Sequence, residues 1–338
     1  MFPDIETTLV PVKLSANRPT ARFYQGGSRI AAFRGGIEDE PYTPEDWVGS
    51  TVTVRGEEGS GLTVLPDGRL LREAIAADPI GWLGQEHVTA FGADPMLLVK
   101  LLDAGQRLPV HAHPDADFAA RTLGTAHGKA EAWYILTPGT VYLGLVEEIA
   151  PAHLADLVAE QRVEEMLGML HPIDVVPGDR VFVPAGMLHA VGEGVFLVEV
   201  QEPEDLSILL EWRDFELDGA TDGHLGVGFD VALEAVDTTA LDTAARDALV
   251  VRADSAERGL CVPAEAYFRL DQLMVDGTEL LDEGFSVLVV LDGEATLRGQ
   301  GAELSLPAGS TALLPAALRA PRLTGTATVL IARPPRPR

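Results

Sequence analysis

A single cysteine, Cys261, stands in 338 residues, so no intrachain disulfide can form. No stretch approaches the roughly 20 consecutive apolar residues that span a bilayer as a helix. Basic residues are scarce: 25 Lys and Arg face 52 Asp and Glu, for a net charge of −27. A surface of that sign repels a phosphate backbone, which argues against nucleic acid as a partner and for solubility. A pocket can still hold a small anion through its own few groups. The opening MFPDIETTLV (1–10) carries acids and no basic stretch, so it does not read as a secretory leader. These features describe a soluble cytoplasmic protein with no membrane partner. Lysine is the scarcest charge, with only Lys13, Lys100 and Lys129 beside 22 arginines. Where arginine is the default, a retained lysine points to a need for a compact, tunable ammonium.

Turn-formers are plentiful: 34 Gly and 23 Pro lie scattered over a 46% hydrophobic background, which favours many short strands over long helices. The length suits two domains. GSTVTVRG (49–56) and GLTVLPDG (61–68) read as strands ending in turns, and LLREAIAADPIGWLG (70–84) as helical up to a break at Pro79. Strand signal is richest in MLLVKLL, AWYILT, TVYLGLV, DRVFVPAG, VFLVEVQ and LSILLEW, within 96–147 and 172–213. Between these lies a helical insert at about 151–170, opened by Pro151. A second alternating series begins after about residue 225, with Asp-Gly or Gly-Asp turns, as in a sandwich or small barrel. The polar, Ala-rich stretch 237–254 reads as the link, and RPPRPR as a frayed end. VVPGDRVFVPAGMLHAV (175–191) and LSLPAGSTALLPAALRA (304–320) share a faint likeness, which suggests a duplicated barrel whose second copy has lost its histidine. The expected division is 1–236 for a first domain holding the insert and 237–338 for a second, structural barrel.

The chemistry concentrates in the first half. Gly105 is followed after five residues by His111-Ala112-His113, and Gly178 after five by Pro184-Ala185-Gly186, with His189 three residues on. Positions i and i+2 of a strand share a face, so His111 and His113 project together. His189, just after the Pro-Ala-Gly turn, can reach the same spot. A metal site needs further ligands, and Glu131 is the natural candidate, since alternation puts Lys129, Glu131 and Trp133 on one face. A charged pair inside a barrel is costly unless it is used. The competing reading has Lys129 and Glu131 facing solvent and Trp133 capping the rim.

LLVKLLDA (97–104), HAHPD (111–115), GKAEAWYIL (128–136), VFVPAGMLHAVGEG (181–194) and EVQEPED (199–205) occur in an order that resembles the class I mannose-6-phosphate isomerases of the short bacterial type, within the cupin superfamily. The likeness covers nearly the whole chain. It implies a mainly β fold of two cupin (jelly-roll) β-barrels with a small helical insert, and a catalytic first domain. It also implies one divalent metal, zinc in the family, on His111, His113, Glu131 and His189, although Mn or Fe also suits this donor set. Catalytic roles carry over to Lys129, Glu199 and Asp205, and substrate binding to Lys100 and Lys129. The implied partner is a small sugar or sugar phosphate, acted on by a monomer or homodimer.

One departure bears on the substrate. Where the family carries an active-site arginine in the strand after the aspartate, this chain has Leu209. Arg213 shares that strand face but lies four residues on, roughly 13 Å at about 3.3 Å per residue. The leading expectation is therefore a metal-dependent aldose–ketose isomerase interconverting mannose 6-phosphate and fructose 6-phosphate. The alternatives are an isomerase or epimerase of an unphosphorylated sugar, a cupin oxygenase, and a non-catalytic sugar-binding homologue.

Overall fold

A computed structural model describes residues 9–337. The leader reading of 1–10 falls mostly on residues outside these, as does the last residue of the basic tail. Along the chain, β1 (Val12–Leu14), β2 (Glu45–Val48), β3 (Leu98–Asp103), β4 (His111–Ala112), β5 (Glu131–Ile135) and β6 (Gly139–Leu145) precede the helical insert. β7 (Leu170–Val175), β8 (Arg180–Val183), β9 (His189–Val191), β10 (Phe196–Gln201) and β11 (Ile208–Leu209) follow it. After β12 (Val250–Val251) come five strands of the second unit: β13 (Arg269–Leu280), β14 (Ser286–Gly299), β15 (Ala302–Pro307), β16 (Thr311–Leu314) and β17 (Arg322–Arg333).

The fold is mainly β. Two open sheets, ordered β12-β8-β5-β10-β3-β2 and β11-β4-β9-β6-β7, pack against each other in the first unit as in a jelly roll. The third sheet runs β1-β16-β14-β17-β13, with β15 on β14. The units exchange edges: β1, from the start of the chain, pairs with β16, while β12, inside the expected link 237–254, pairs with β8. The insert forms two helices, Pro151–Ala159 and Val163–Gly168, and its Pro occupies a first-turn position where no N–H is needed. The break at Pro79 separates helices Leu71–Ala77 and Pro79–Leu83, with the Asp78 carboxylate accepting from the Gly81 N–H at 2.9 Å. No helix among the described residues is long and apolar enough to cross a membrane.

Three local expectations are corrected. Residues 49–56 and 61–68 form no strands, only an isolated bridge between Val64 and Leu70. Glycines 49, 56, 59 and 61 all take positive φ and fold the segment back on itself, so that the Thr63 N–H reaches the Ser50 carbonyl at 3.0 Å. The strand of this region lies just before, at Glu45–Val48. LSILLEW contributes only the two residues of β11, because the Leu210 and Glu211 N–H groups turn to the Val110 carbonyl. Asp292-Gly293 is no turn either. It lies within the 14-residue β14, where the register shifts between Val290 and Asp292 and the strand continues.

Candidate active site

Cross-strand register builds the site. In the first sheet Lys100 of β3 lies opposite Glu199 of β10 and Trp47 of β2, while Glu199 also faces Trp133 of β5. Glu131 is two residues from Trp133 and shares its face. In the second sheet His111 of β4 pairs with His189 of β9 on one side and with Leu209 of β11 on the other. The two inner faces therefore bring one carboxylate-rich wall against one imidazole-rich wall. Lys100, Lys129, Glu131, Glu199 and Asp205 line one cavity together with His111, while His113 and His189 lie beside His111. All eight residues expected from the sequence thus meet in one place.

The three imidazoles are aimed by the backbone. His111 Nδ1 donates to the Pro109 carbonyl at 2.8 Å, His189 Nδ1 to Met187 at 2.8 Å and His113 Nδ1 to Leu206 at 2.6 Å. Since a carbonyl can only accept, each ring carries its proton on Nδ1 and offers a bare Nε2 lone pair. One ligand atom from each ring falls within 4.8 Å of the others, a cluster that could hold a metal ion. Burial, with the neighbouring imidazoles, pushes His111 well below the usual histidine range; burial and Lys129 lower His113 to about 3. Burial alone would raise the Glu131 carboxyl, but Lys129 and His113 outweigh it and hold it well below the carboxylate range. His111 and His113 are thus neutral imidazoles beside an ionised carboxylate, the protonation states that bind a divalent cation.

Lone pairs crowd this point. His113 Nε2 lies 3.0 Å from Glu131 Oε2, and His189 Nε2 lies 3.4 Å from Glu131 Oε1 and is buried without a hydrogen-bond partner among the described residues. Acceptors pressed together in this way call for positive charge between them, and orienting hydrogen bonds on the far ring nitrogens are what metal-ligating histidines make. The residues fit a metal. Lys129 Nζ supplies charge from one side, at 2.7 Å from Glu131 Oε2 and 2.8 Å from His113 Nε2.

Glu199 is of a different kind. Its Oε1 is buried without a hydrogen-bond partner among the described residues, and Lys100 Nζ stands 3.5 Å away. Burial, followed by Glu131, raises its pKa. Burial would raise Asp205 too, but Arg22 and Lys100 overcome it and hold it well below the carboxylate range. Two carboxyls in one cavity are thereby pushed in opposite directions, a pattern that separates acid–base roles.

Sequence reasoning missed four residues of this wall: Arg22, Tyr24, Glu45 and Trp47. Glu45 accepts from the Tyr24 hydroxyl at 2.6 Å and from Trp47 Nε1 at 2.6 Å, and burial of its carboxyl is offset by Arg22 and Lys100, which take it down to about 2. Trp133 Nε1 likewise donates to Glu131, at 3.0 Å. Glu-x-Trp occurs at both places, so the pattern that marked Glu131 would have marked Glu45. Arg22 lies in an irregular segment, with no periodicity to reveal it. Arg213 stays outside, exposed, with its guanidinium on Glu164 at 3.1 and 3.2 Å.

Residues 260–334 match the family model described as mannose-6-phosphate isomerase, cupin domain, so that match lies on the second unit, away from the histidines. The chain is 29% identical over 272 residues to a Bacillus subtilis protein named probable mannose-6-phosphate isomerase GmuF, covering 77% of this chain and 83% of that protein. It is 29% identical over 205 residues to the mannose-6-phosphate isomerase of Streptococcus mutans, 58% of each chain. The crystal structure of the mannose 6-phosphate isomerase from Bacillus subtilis superimposes with a TM-score of 0.74 over 96% of this chain and all of that one, at 21% identity, which supports the fold. Over most of its length the chain is thus similar to mannose-6-phosphate isomerases, and in its second unit to their cupin domain.

Proposed function

We propose that the chain is a metal-dependent aldose–ketose isomerase that interconverts mannose 6-phosphate and fructose 6-phosphate. The observation that carries this reading is the convergence of three Nδ1-anchored imidazoles and Glu131 on one point beside a cavity holding Glu199, Lys100 and Asp205. His111, His113, Glu131 and His189 would hold one divalent ion, zinc by preference for a compact imidazole–carboxylate set. When bound, the ion supplies positive charge for the oxyanions that develop at O1 and O2. Residues 1–236 form the catalytic unit in this reading, and 237–338, whose described residues from 251 on contain no histidine, a structural one.

The protein's own groups do the rest. Isomerisation moves a proton between C1 and C2 through a cis-enediol. Glu199 is assigned that proton, because its free oxygen and raised pKa suit a group that must both accept and return it. Asp205, held ionised, accepts the anomeric hydroxyl proton in ring opening. Lys129 donates from beside Glu131, and Lys100, 4.7 Å over the Trp47 ring, holds hydroxyls at the inner end.

The test combines metal analysis with turnover of mannose 6-phosphate. Wild-type protein should contain close to one divalent ion per chain, and His113→Ala or His189→Ala should lose it. Glu199→Gln should keep the metal and lose roughly 10²- to 10⁴-fold in kcat, the usual weight of a general base. Full metal retention in both histidine variants would remove the assigned ligands. Undiminished turnover in Glu199→Gln would remove the assigned base.

A further inference from the structure

We propose that Arg22 is the residue that binds the substrate's anionic group, standing at the neck between the inner cavity and an outer cleft. This rests on the isomerase reading only for the identity of the sugar. The inner cavity is lined by Lys100, Glu199 and His111, the outer cleft by Arg55, Thr221 and Leu225. Arg22, Phe23, Asp205, Ser207 and Leu209 line both, and so form the passage between them. Arg22 is the only arginine on the inner cavity among the described residues.

Its surroundings spend only part of the fork, in one long hydrogen bond to Asp205 and one long ion pair to Glu45. The side chain is 11% exposed, so the guanidinium is largely withdrawn from water. It stands 3.4 Å from Glu45 Oε1 through Nε and 3.4 Å from Asp205 Oδ2 through Nη1, both long for ion pairs, and Nε has no hydrogen-bond partner among the described residues. A guanidinium carries five N–H donors in a plane that matches a phosphate bidentately. Lys129 is already committed to Glu131 and His113 at contact distance, and Lys100 opens only to the inner cavity. A linear phosphosugar lying with its reacting carbons toward the imidazoles presents its phosphate toward the opening. Arg22 is the cation waiting there, on the same passage that Leu209 lines with an apolar side chain.

The experiment compares wild type, Arg22→Gln, Arg22→Lys and the surface control Arg213→Gln, using steady-state kinetics on mannose 6-phosphate and free mannose. Calorimetric binding of sorbitol 6-phosphate, which cannot isomerise, is measured on the same proteins in metal-loaded form. Arg22→Gln should raise KM for mannose 6-phosphate 10- to 100-fold, with a loss in kcat/KM at least tenfold greater than on free mannose. Binding of sorbitol 6-phosphate should weaken by a similar factor. Arg22→Lys, which keeps the charge without the fork, should fall between, and guards against a glutamine variant that fails to fold. Arg213→Gln should match wild type. Equal losses on both sugars, or undiminished sorbitol 6-phosphate binding in a folded Arg22 variant, would overturn the assignment. If wild type isomerises neither sugar yet binds sorbitol 6-phosphate through Arg22, the isomerase reading fails and the anion site stands.

Discussion

Leu209 lies directly across the ladder from His111, so its side chain shares the cavity face with that imidazole. An arginine placed there would enter the passage that Arg22 already occupies, and the two positions become alternative sources of one charge. A double-mutant cycle reads this directly. In the wild-type background Leu209→Arg should change kcat/KM for mannose 6-phosphate by less than about threefold. In the Arg22→Gln background the same change should restore about tenfold or more, a coupling of roughly 1.4 kcal/mol. Steady-state kinetics of the four proteins, each checked for intact thermal unfolding, gives the coupling. Equal effects of Leu209→Arg in both backgrounds would mean that the two positions act independently.

At the level of the element, β14 shows how one glycine sets the second unit. Val290 and Asp292 shift register against β17, and Gly293 follows with φ 75°, where a side chain is strained. A Cβ added there would lie 2.1 Å from the Thr326 carbonyl oxygen on β17. Gly293→Ala should therefore destabilise the protein by about 2 kcal/mol or more, read from the midpoint of denaturant unfolding. An unchanged midpoint would show that the strand pair yields freely. The same element marks the limit of what was legible in the sequence. Asp-Gly is a turn signal because both residues tolerate positive φ, but a bulge inside a long strand uses the same tolerance, and only the partner strand decides between them. Glycines 49, 56, 59 and 61 show the reverse case, in which Thr-Val alternation reads as a strand and the backbone folds back instead. The metal-capable cluster was legible because its logic is local: two-residue alternation for His111 and His113, a Pro-Ala-Gly turn for His189. Glu45 was legible in principle through its Glu-x-Trp pattern. Arg22 was not, because it reaches the cavity from an irregular segment and is joined to Asp205, 183 residues away, only by the fold.

Over the whole molecule, the two units share part of their interior, although each also keeps an apolar cluster of its own. A continuous apolar core runs from Leu14 and Tyr24 through Val99, Trp133, Phe182 and Val198 to Phe268, Val287, Leu313 and Leu330, so residues from both sides of the expected boundary at 237 pack together. β1 and β12 reinforce this, each adding an edge strand to a sheet of the other half of the chain. Units joined through a shared apolar core should not melt separately, in contrast to domains that meet only across a small polar interface. A ligand that binds only the folded state stabilises by RT ln(1 + [L]/Kd), about 2.7 kcal/mol at a hundredfold excess over Kd. If the ion bound at the imidazole cluster stabilises the first unit, the shared core must pass that stabilisation to the second. Differential scanning calorimetry of metal-loaded and chelator-treated protein should therefore show one unfolding peak in each case, displaced as a whole to lower temperature when the metal is removed. Two peaks, of which only one moves on chelation, would mean that the common core does not couple the units, and that the second unit stands without the support of the first.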